Sequence, residues 1–446
     1  MLFSSEKFIF AFLPIFLLVY YIAPKKYRNA VLFLGSIIFY AIGEFKYLPL
    51  MLISLTLNYV SAIMIEKSKR LGVKRTMLIM TLFVDFTLLI GFKGFSNHIP
   101  LGISFYTFQI AAYVIDVYRR DVKAEKNYVN VGTYLCMFPQ LIAGPIILYT
   151  DVSKEIKQRE YSFDNIEEGL KTFVLGLASK LLIADVMALL WNEIQVTGYD
   201  GITTAMSWLG ALAYAMEIYF DFNGYSLMAI GLGRMLGFNI PKNFDNPYIS
   251  HSVSEFWRRW HITLGRWFKD YIYIPLGGNR KGTLATIRNL FIVWLLTGLW
   301  HGVGANFVIW GLGTFVLIAS EKLFLSKYLK KSKIFSRLYV TLFILVSWVV
   351  FAIEDLGKLK MYLLRMFPFI TDNASPYINH SDYIDAIRRY GVFFVIAIVL
   401  CIPSVQKIYK KYKNSYLVLL GLLIIFWICV WKMETSASNP FLYFRF

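Results

Sequence analysis

An all-α, polytopic membrane fold is predicted for this chain, and three observations predict it. Its residues are 57% hydrophobic and only 17% charged, more apolar and less charged than a typical soluble domain, and the mean hydropathy is +0.55. Apolar runs close to the length of a helical crossing, about 20 residues at about 1.5 Å each, recur along the whole sequence. The basic residues collect in the short segments between those runs.

In order, the candidate spans are 8–23, 29–43, 47–65, 76–92, 102–118, 129–149, 168–191, 203–222, 285–301, 305–320, 338–353, 390–404 and 415–431. Several are short or interrupted by glycine, so nine to twelve true crossings are expected, with the remaining runs re-entrant or interfacial. The first run is not read as a cleaved signal peptide, because no small-residue cleavage site follows it and further spans begin at once. No repeat, low-complexity tract or polar linker divides the chain, which predicts one membrane domain over 1–446.

The net charge of +18 is a topology signal and not a nucleic-acid footprint. The basic clusters are PKKYR (24–28), EKSKRLGVKR (66–75), RRDVKAEK (119–126), EKLFLSKYLKKSKIFSR (321–337) and QKIYKKYKN (406–414). Short loops rich in Lys and Arg mark the cytoplasmic face. The charge-balanced segment 354–389 is then expected outside, and the C-terminus with it. Cys136, Cys401 and Cys429 lie in apolar runs without CxxC or Cys/His spacing, so neither a metal site nor a disulfide framework is expected.

The most unusual region is 234–302. A loop rich in Pro, Asn and Asp ends at Ser252 or Ser254, either of which suits a helix N-cap with Glu255 in the first turn. A helix from about 253 to 270 would put Trp257, His261, Leu264 and Phe268 on one face, and Arg259, Arg266 and Lys269 on another. That pattern reads as an amphipathic interfacial helix, ended by Pro275 and the glycine pair of LGGNR. Arg258, Arg259, Arg266, Lys269, Arg280 and Lys281 suit phosphate, either of lipid or of a nucleotide-bearing ligand. The turn at Gly277, Gly278 and Asn279 would let backbone approach such a ligand.

His301 directly follows LFIVWLLTGLW (290–300), a run without a charged side chain. An ionisable group there is costly and usually serves chemistry or a cavity. A neutral, desolvated imidazole suits a general base that takes a hydroxyl proton; the structural alternative is a histidine satisfied by a backbone carbonyl between helices. His261 either packs at the interface or contributes to the same site. His98, His251 and His380 fall in loops with no nucleophile beside them. Asp85, Asp116, Glu217 and Asp221 lie in or near apolar runs, and spacing assigns them no partners.

Three motifs, FPQLIAGPI (138–146), EFWRRWHITLGRWFKDYIYIPLGGNR (255–280) and LTGLWHG (296–302), occur in an order that resembles the membrane-bound O-acyltransferase family. The likeness is to its bacterial polysaccharide O-acetyltransferase branch and covers a core of about 100–320. It implies helices around a central funnel, His301 as the active histidine and His261 as the second family histidine, orienting the acyl donor or hydrogen-bonding an oxyanion. It further implies acetyl-CoA as a cytoplasmic donor substrate, with no permanently bound cofactor. An extracytoplasmic esterase-like acyltransferase would act as partner, and a polysaccharide as downstream acceptor. Within the C-terminal aromatic tail (432–446), FLYFRF resembles a terminal motif of this branch, which implies Tyr443 as a transient acyl carrier; an aromatic interfacial anchor is the alternative. D-alanyl transfer to teichoic acid shares the WRRWH and WHG core and is the second reading. A transporter or flippase for a polysaccharide precursor is a third, from another class; it would show internal hydropathy symmetry, which is absent.

Overall fold

The computed structural model describes residues 1–96, 98–368, 379–435 and 441–442. Among them only helices and turns form, with no strand. The all-α reading is met. The helices are α1 (Leu13–Ile22), α2 (Arg28–Glu44), α3 (Leu48–Lys67), α4 (Leu71–Phe95), α5 (Ile103–Arg119), α6 (Tyr128–Cys136), α7 (Phe138–Leu141), α8 (Tyr149–Lys157), α9 (Phe163–Ala178), α10 (Asp185–Thr197) and α11 (Thr204–Met235). They continue as α12 (Val253–Arg259), α13 (Ile262–Phe268), α14 (Gly282–His301), α15 (Ala305–Ser320), α16 (Ser326–Leu329), α17 (Lys333–Ala352), α18 (Leu356–Met366), α19 (Asp382–Leu400), α20 (Pro403–Tyr412) and α21 (Tyr416–Thr435).

Seven helices among the described residues, or eight if the bent α19–α20 pair is one span, are long and apolar enough to cross a membrane. Residues 25–67, which hold both α2 and α3, count once in that number, and some apolar runs do not become long apolar helices. The run 129–149 is broken after Cys136, gives only the four residues of α7, and then continues as irregular backbone. That segment is buried throughout, and burial in protein is a circumstance in which non-helical backbone is tolerated at membrane depth. Its Tyr134 hydroxyl donates to the carbonyls of Gln109 and Ile147 at 2.9 Å each, which ties the irregular stretch to α5.

The chain divides into two compact units. The first comprises Met1–Leu177, Tyr225–Lys242 and the described residues of 433–442. Phe3, Phe8, Phe39 and Phe138 meet there in one aromatic cluster. Helices α9 and α11 cross on paired glycines: a Cβ on Gly169 would sit 2.6 Å from the Gly231 carbonyl oxygen, and one on Gly231 would sit 2.5 Å from that of Gly169. Small residues allow such approach where two helices meet in a membrane.

The second unit comprises Ala178–Gly224 and Asn243–Lys432. It contains both histidines singled out from the sequence. Its tightest helix pair is α14 and α15, again crossing on glycine, with a Cβ at Gly298 or Gly311 falling 2.6 Å from a backbone oxygen of the partner helix. Asn306, one residue into α15, donates to the Phe351 carbonyl at 3.1 Å. It thereby satisfies one of the last carbonyls of α17, which have no partner within their own helix. Those two devices fix where α14 ends, and His301 is its last residue.

Candidate active site

The helix expected to run from 253 to 270 is instead broken at His261. Its start is as read: Ser252 is the N-cap, its hydroxyl accepting from the Glu255 N–H at 3.0 Å. Helix α12 then stops at Arg259, and α13 begins at Ile262. Between them His261 adopts φ +43°, ψ +55°, a left-handed conformation that costs a residue with a Cβ about 1–2 kcal/mol. Hydrogen bonds from a distant loop hold it there. Ile262 N–H donates to the Asn243 carbonyl at 2.9 Å, and Asp245 N–H donates to the Arg259 carbonyl at 2.9 Å. His261 in this break is 3% exposed.

The side chain of Asn243 sets the state of that imidazole. Its Oδ1 accepts from the Thr263 N–H at 3.4 Å and the Thr263 hydroxyl at 2.9 Å, and lies 3.0 Å from His261 Nδ1. A backbone N–H can only donate, so the atom it meets is the oxygen, and an amide oxygen can only accept. His261 therefore carries its proton on Nδ1 and keeps a lone pair on Nε2. Burial pushes its pKa down to about 3, so the ring is neutral near pH 7. A neutral ring of this tautomer accepts a proton at Nε2.

His301 is held differently. The ring is 4% exposed and enclosed by Trp300, Trp310 and Phe351, edge to face at centroid distances of 4.7, 5.1 and 4.9 Å. Phe307 stacks at 6.4 Å. Gly302 makes room for this wall, since a Cβ there would lie 2.4 Å from the Phe307 ring. The Trp300 ring also stands 6.2 Å from His261, so one indole borders both imidazoles. Phe222, from α11, packs edge-on against His261 at 4.7 Å.

Two buried imidazoles, His301 at the end of an apolar helix and His261 in the break between α12 and α13, are bordered by one tryptophan and shielded from water. Comparison with known sequences decides what kind of site this is. The model of the membrane-bound O-acyltransferase family matches residues 35–354, a stretch that includes both histidines. The chain belongs to that family. As a family member it is a multi-pass membrane acyltransferase. It is 39% identical over 378 residues to the "Probable alginate O-acetylase AlgI" of Pseudomonas fluorescens, covering 83% of this chain and 76% of that protein. It is 30% identical over 519 residues to the peptidoglycan O-acetyltransferase of Helicobacter pylori, covering 100% and 98%. Against the teichoic acid D-alanyltransferase of Bacillus subtilis the figures are 29% over 248 residues, covering 52% and 61%.

The basic residues read from the acyltransferase sequence lie on different elements. Arg258 lines an open cavity, whereas Arg259 is committed to Glu255 at 2.9 Å and to the carbonyl of Asp245 at 3.0 Å. Arg266 lies on α13, Lys269 follows it, and Asn279 and Arg280 are exposed in the turn before α14. The glycines of that turn do adopt positive φ, +106° at Gly277 and +57° at Gly278. Their N–H groups, however, donate to the carbonyls of Ile274 and Tyr273, so they are not offered to a ligand. Tyr443 lies outside the described residues.

Sequence reasoning passed over several residues of the acyltransferase that the fold brings forward. Asn243 and Thr263 carry no spacing signal, being 20 residues apart in a loop and a helix. Lys180 did carry one, as a cation inside an apolar run. It is buried and pairs with Asp185 and Asp221 at 2.8 Å each, which gives Asp221 the partner that spacing could not assign. Asp221 precedes Phe222, so this ion pair anchors the part of α11 that backs His261. Asp85, in the first unit, takes hydrogen bonds from Ser54 and Asn58 at 3.3 and 3.1 Å. Of the remaining histidines, His98 meets Glu44 on the surface, and His251 meets Ser336 Oγ at 3.0 Å.

Proposed function

We propose that this acyltransferase takes an acetyl group from cytoplasmic acetyl-CoA and passes it across the bilayer for O-acetylation of an extracytoplasmic polysaccharide. The observation that carries the reading is the enclosure of His301 by four aromatic rings at the end of α14, with a neutral His261 beside the shared indole. A base shielded from water favours transfer to an alcohol over hydrolysis of a thioester. In the proposed step His301 takes the hydroxyl proton, the oxygen attacks the thioester carbonyl, the C–S bond breaks, and the departing thiolate takes the proton.

The Tyr443 phenol is the proposed first acceptor. An acetyl-tyrosine would then be attacked by an acceptor hydroxyl, with an extracytoplasmic esterase-like acyltransferase completing delivery. The basic loops 24–28, 66–75, 119–126, 321–337 and 406–414 support a cytoplasmic donor side, and the names of the alginate and peptidoglycan relatives support acetyl and a polysaccharide. D-alanyl transfer is the alternative, and the half-length match to the teichoic acid enzyme gives it less support.

The test is to supply acetyl-CoA with a radiolabelled acetyl group to the purified chain and digest it. Label on the C-terminal peptide, absent in Tyr443→Phe and in His301→Ala, is the expected result. Unchanged acetylation in Tyr443→Phe reduces that residue to an interfacial anchor. Label transfer from a D-alanyl thioester and none from acetyl-CoA overturns the acetyl reading.

A further inference from the structure

The second unit contains a cavity of about 810 Å³ that the catalytic reading does not use. It lies among the start of α12, the turn before α14, and the segment joining α15 to α17. Four cations line it, Arg258, Lys322, Lys330 and Lys333. None of the four is in an ion pair among the described residues.

Two carboxylates share the cavity wall, and both are already engaged by the protein. Glu321 caps α12, accepting from the Val253 N–H at 2.6 Å and from the N–H and hydroxyl of Ser254 at 2.9 and 2.5 Å. Glu255 accepts from the His251 N–H and from Arg259 at 2.9 Å each. The hydrogen bonds and the Arg259 charge outweigh burial and hold its carboxyl below the ordinary range, so it stays ionised and engaged. The cations are left for a ligand. The floor is apolar, formed by Leu290, Trp294, Ile318 and Leu329. Trp294 stands 6.2 Å from Trp310, and Trp310 stands 5.1 Å from His301. One aromatic layer thus separates a basic cavity from the catalytic imidazole.

We infer that this cavity binds the phosphates of a ligand whose remainder is an uncharged arm lying on the Trp294 floor. The number of cations suits more than one phosphate oxygen, and Arg258 adds a planar fork to the point charges of the lysines. A nucleotide thioester and an anionic phospholipid share that chemistry. The first source rests on the donor proposed above; the second does not.

Amine-reactive labelling of the full chain, read by mass spectrometry, locates the site directly. The chain is held in nanodiscs of phosphatidylcholine with and without coenzyme A, and in nanodiscs containing phosphatidylglycerol. Protection of Lys322, Lys330 and Lys333 by coenzyme A, with Lys407 and Lys410 unprotected, assigns the cavity to the donor. Protection only by phosphatidylglycerol assigns it to lipid, and protection by neither overturns the inference. Lys330→Glu/Lys333→Glu is expected to weaken the protecting ligand at least tenfold, more at low salt than at high, while the double Lys→Arg variant retains it. Acetyl transfer is measured on the same samples. Wild-type transfer with an unchanged donor KM in the double Glu variant removes the donor from this cavity but leaves the proposed reaction standing. Protection by coenzyme A without any transfer keeps the cavity and removes the reaction.

Discussion

The two buried histidines differ in what holds them. His261 sits in a strained kink, and its orientation and tautomer are dictated by polar atoms: the Asn243 amide oxygen fixes Nδ1 as a donor, and Thr263 fixes the amide. His301 ends a regular helix and is enclosed by rings, with Trp300, Trp310 and Phe351 packed edge to face against it. Polar restraint selects one protonation state. Aromatic packing selects a place. That difference fits one imidazole that cycles during turnover and another that stays neutral.

Removing the cycling ring should have the largest effect. His301→Ala is expected to lower acetyl transfer by about 10²–10⁴-fold, the usual contribution of a positioned general base. Protein yield and thermal unfolding in detergent should stay close to wild type, since the aromatic wall remains. His261→Ala is expected to cost less activity and more stability, because the kink at φ +43° is then left without the ring that its hydrogen bonds serve. Equal activity losses in the two variants would erase the distinction.

Asn243 is the residue through which the second ring can be addressed without removing it. Asn243→Ala leaves a buried imidazole N–H without its acceptor, a deficit of about 1–3 kcal/mol, and activity should fall about tenfold or more. Asn243→Asp puts a carboxylate against Nδ1 and raises the His261 pKa from about 3. Activity in that variant should fail at a higher pH than in the wild type, as the ring takes a proton and loses its Nε2 lone pair. The same depressed pKa affects stability. The unfolded chain binds a proton at His261 near pH 6.5 and the folded chain only near 3, so the contribution is complete above 6.5 and is lost as pH falls toward 3. Unfolding midpoints should therefore drop between pH 7 and pH 5, and drop less in His261→Gln.

The sequence made His301 legible because its signal is local: an ionisable residue abutting eleven uncharged ones, between glycines that permit close packing. The start of α12 was legible for the same reason, Ser252 and Glu255 being a short-range capping pair. The break at His261 was not. The spacing of Trp257, His261, Leu264 and Phe268 is good helical periodicity, and it lost to two backbone hydrogen bonds from a loop about twenty residues away. The run 129–149 misled in the opposite sense, since continuous apolar composition describes buried irregular backbone as well as it describes a span. Among the cations, composition could mark Lys322, Lys330 and Lys333 only as a basic loop. Their convergence on Arg258 depends on how α12, α15 and α17 come together, which no local pattern encodes.

The smallest expected effect probes the device that positions the aromatic restraint. A Cβ at Gly311 would lie 2.6 Å from the Trp294 carbonyl oxygen and 3.3 Å from the Gly298 Cα. Both are backbone atoms, so no side chain can swing aside and the helices themselves must separate. Gly311→Ala is therefore expected to destabilise the chain by about 1–3 kcal/mol, seen as a lower unfolding temperature in detergent. Trp310 is the next residue, so separation of α14 and α15 also shifts its ring relative to His301. A loss in kcat with little change in donor KM should accompany the loss in stability. Gly313, on the same helix but with open space around its Cβ position, is the control: Gly313→Ala should leave both quantities unchanged. A matching loss at Gly313 would mean that helix flexibility matters here, and that close approach at Gly311 does not set the place of His301.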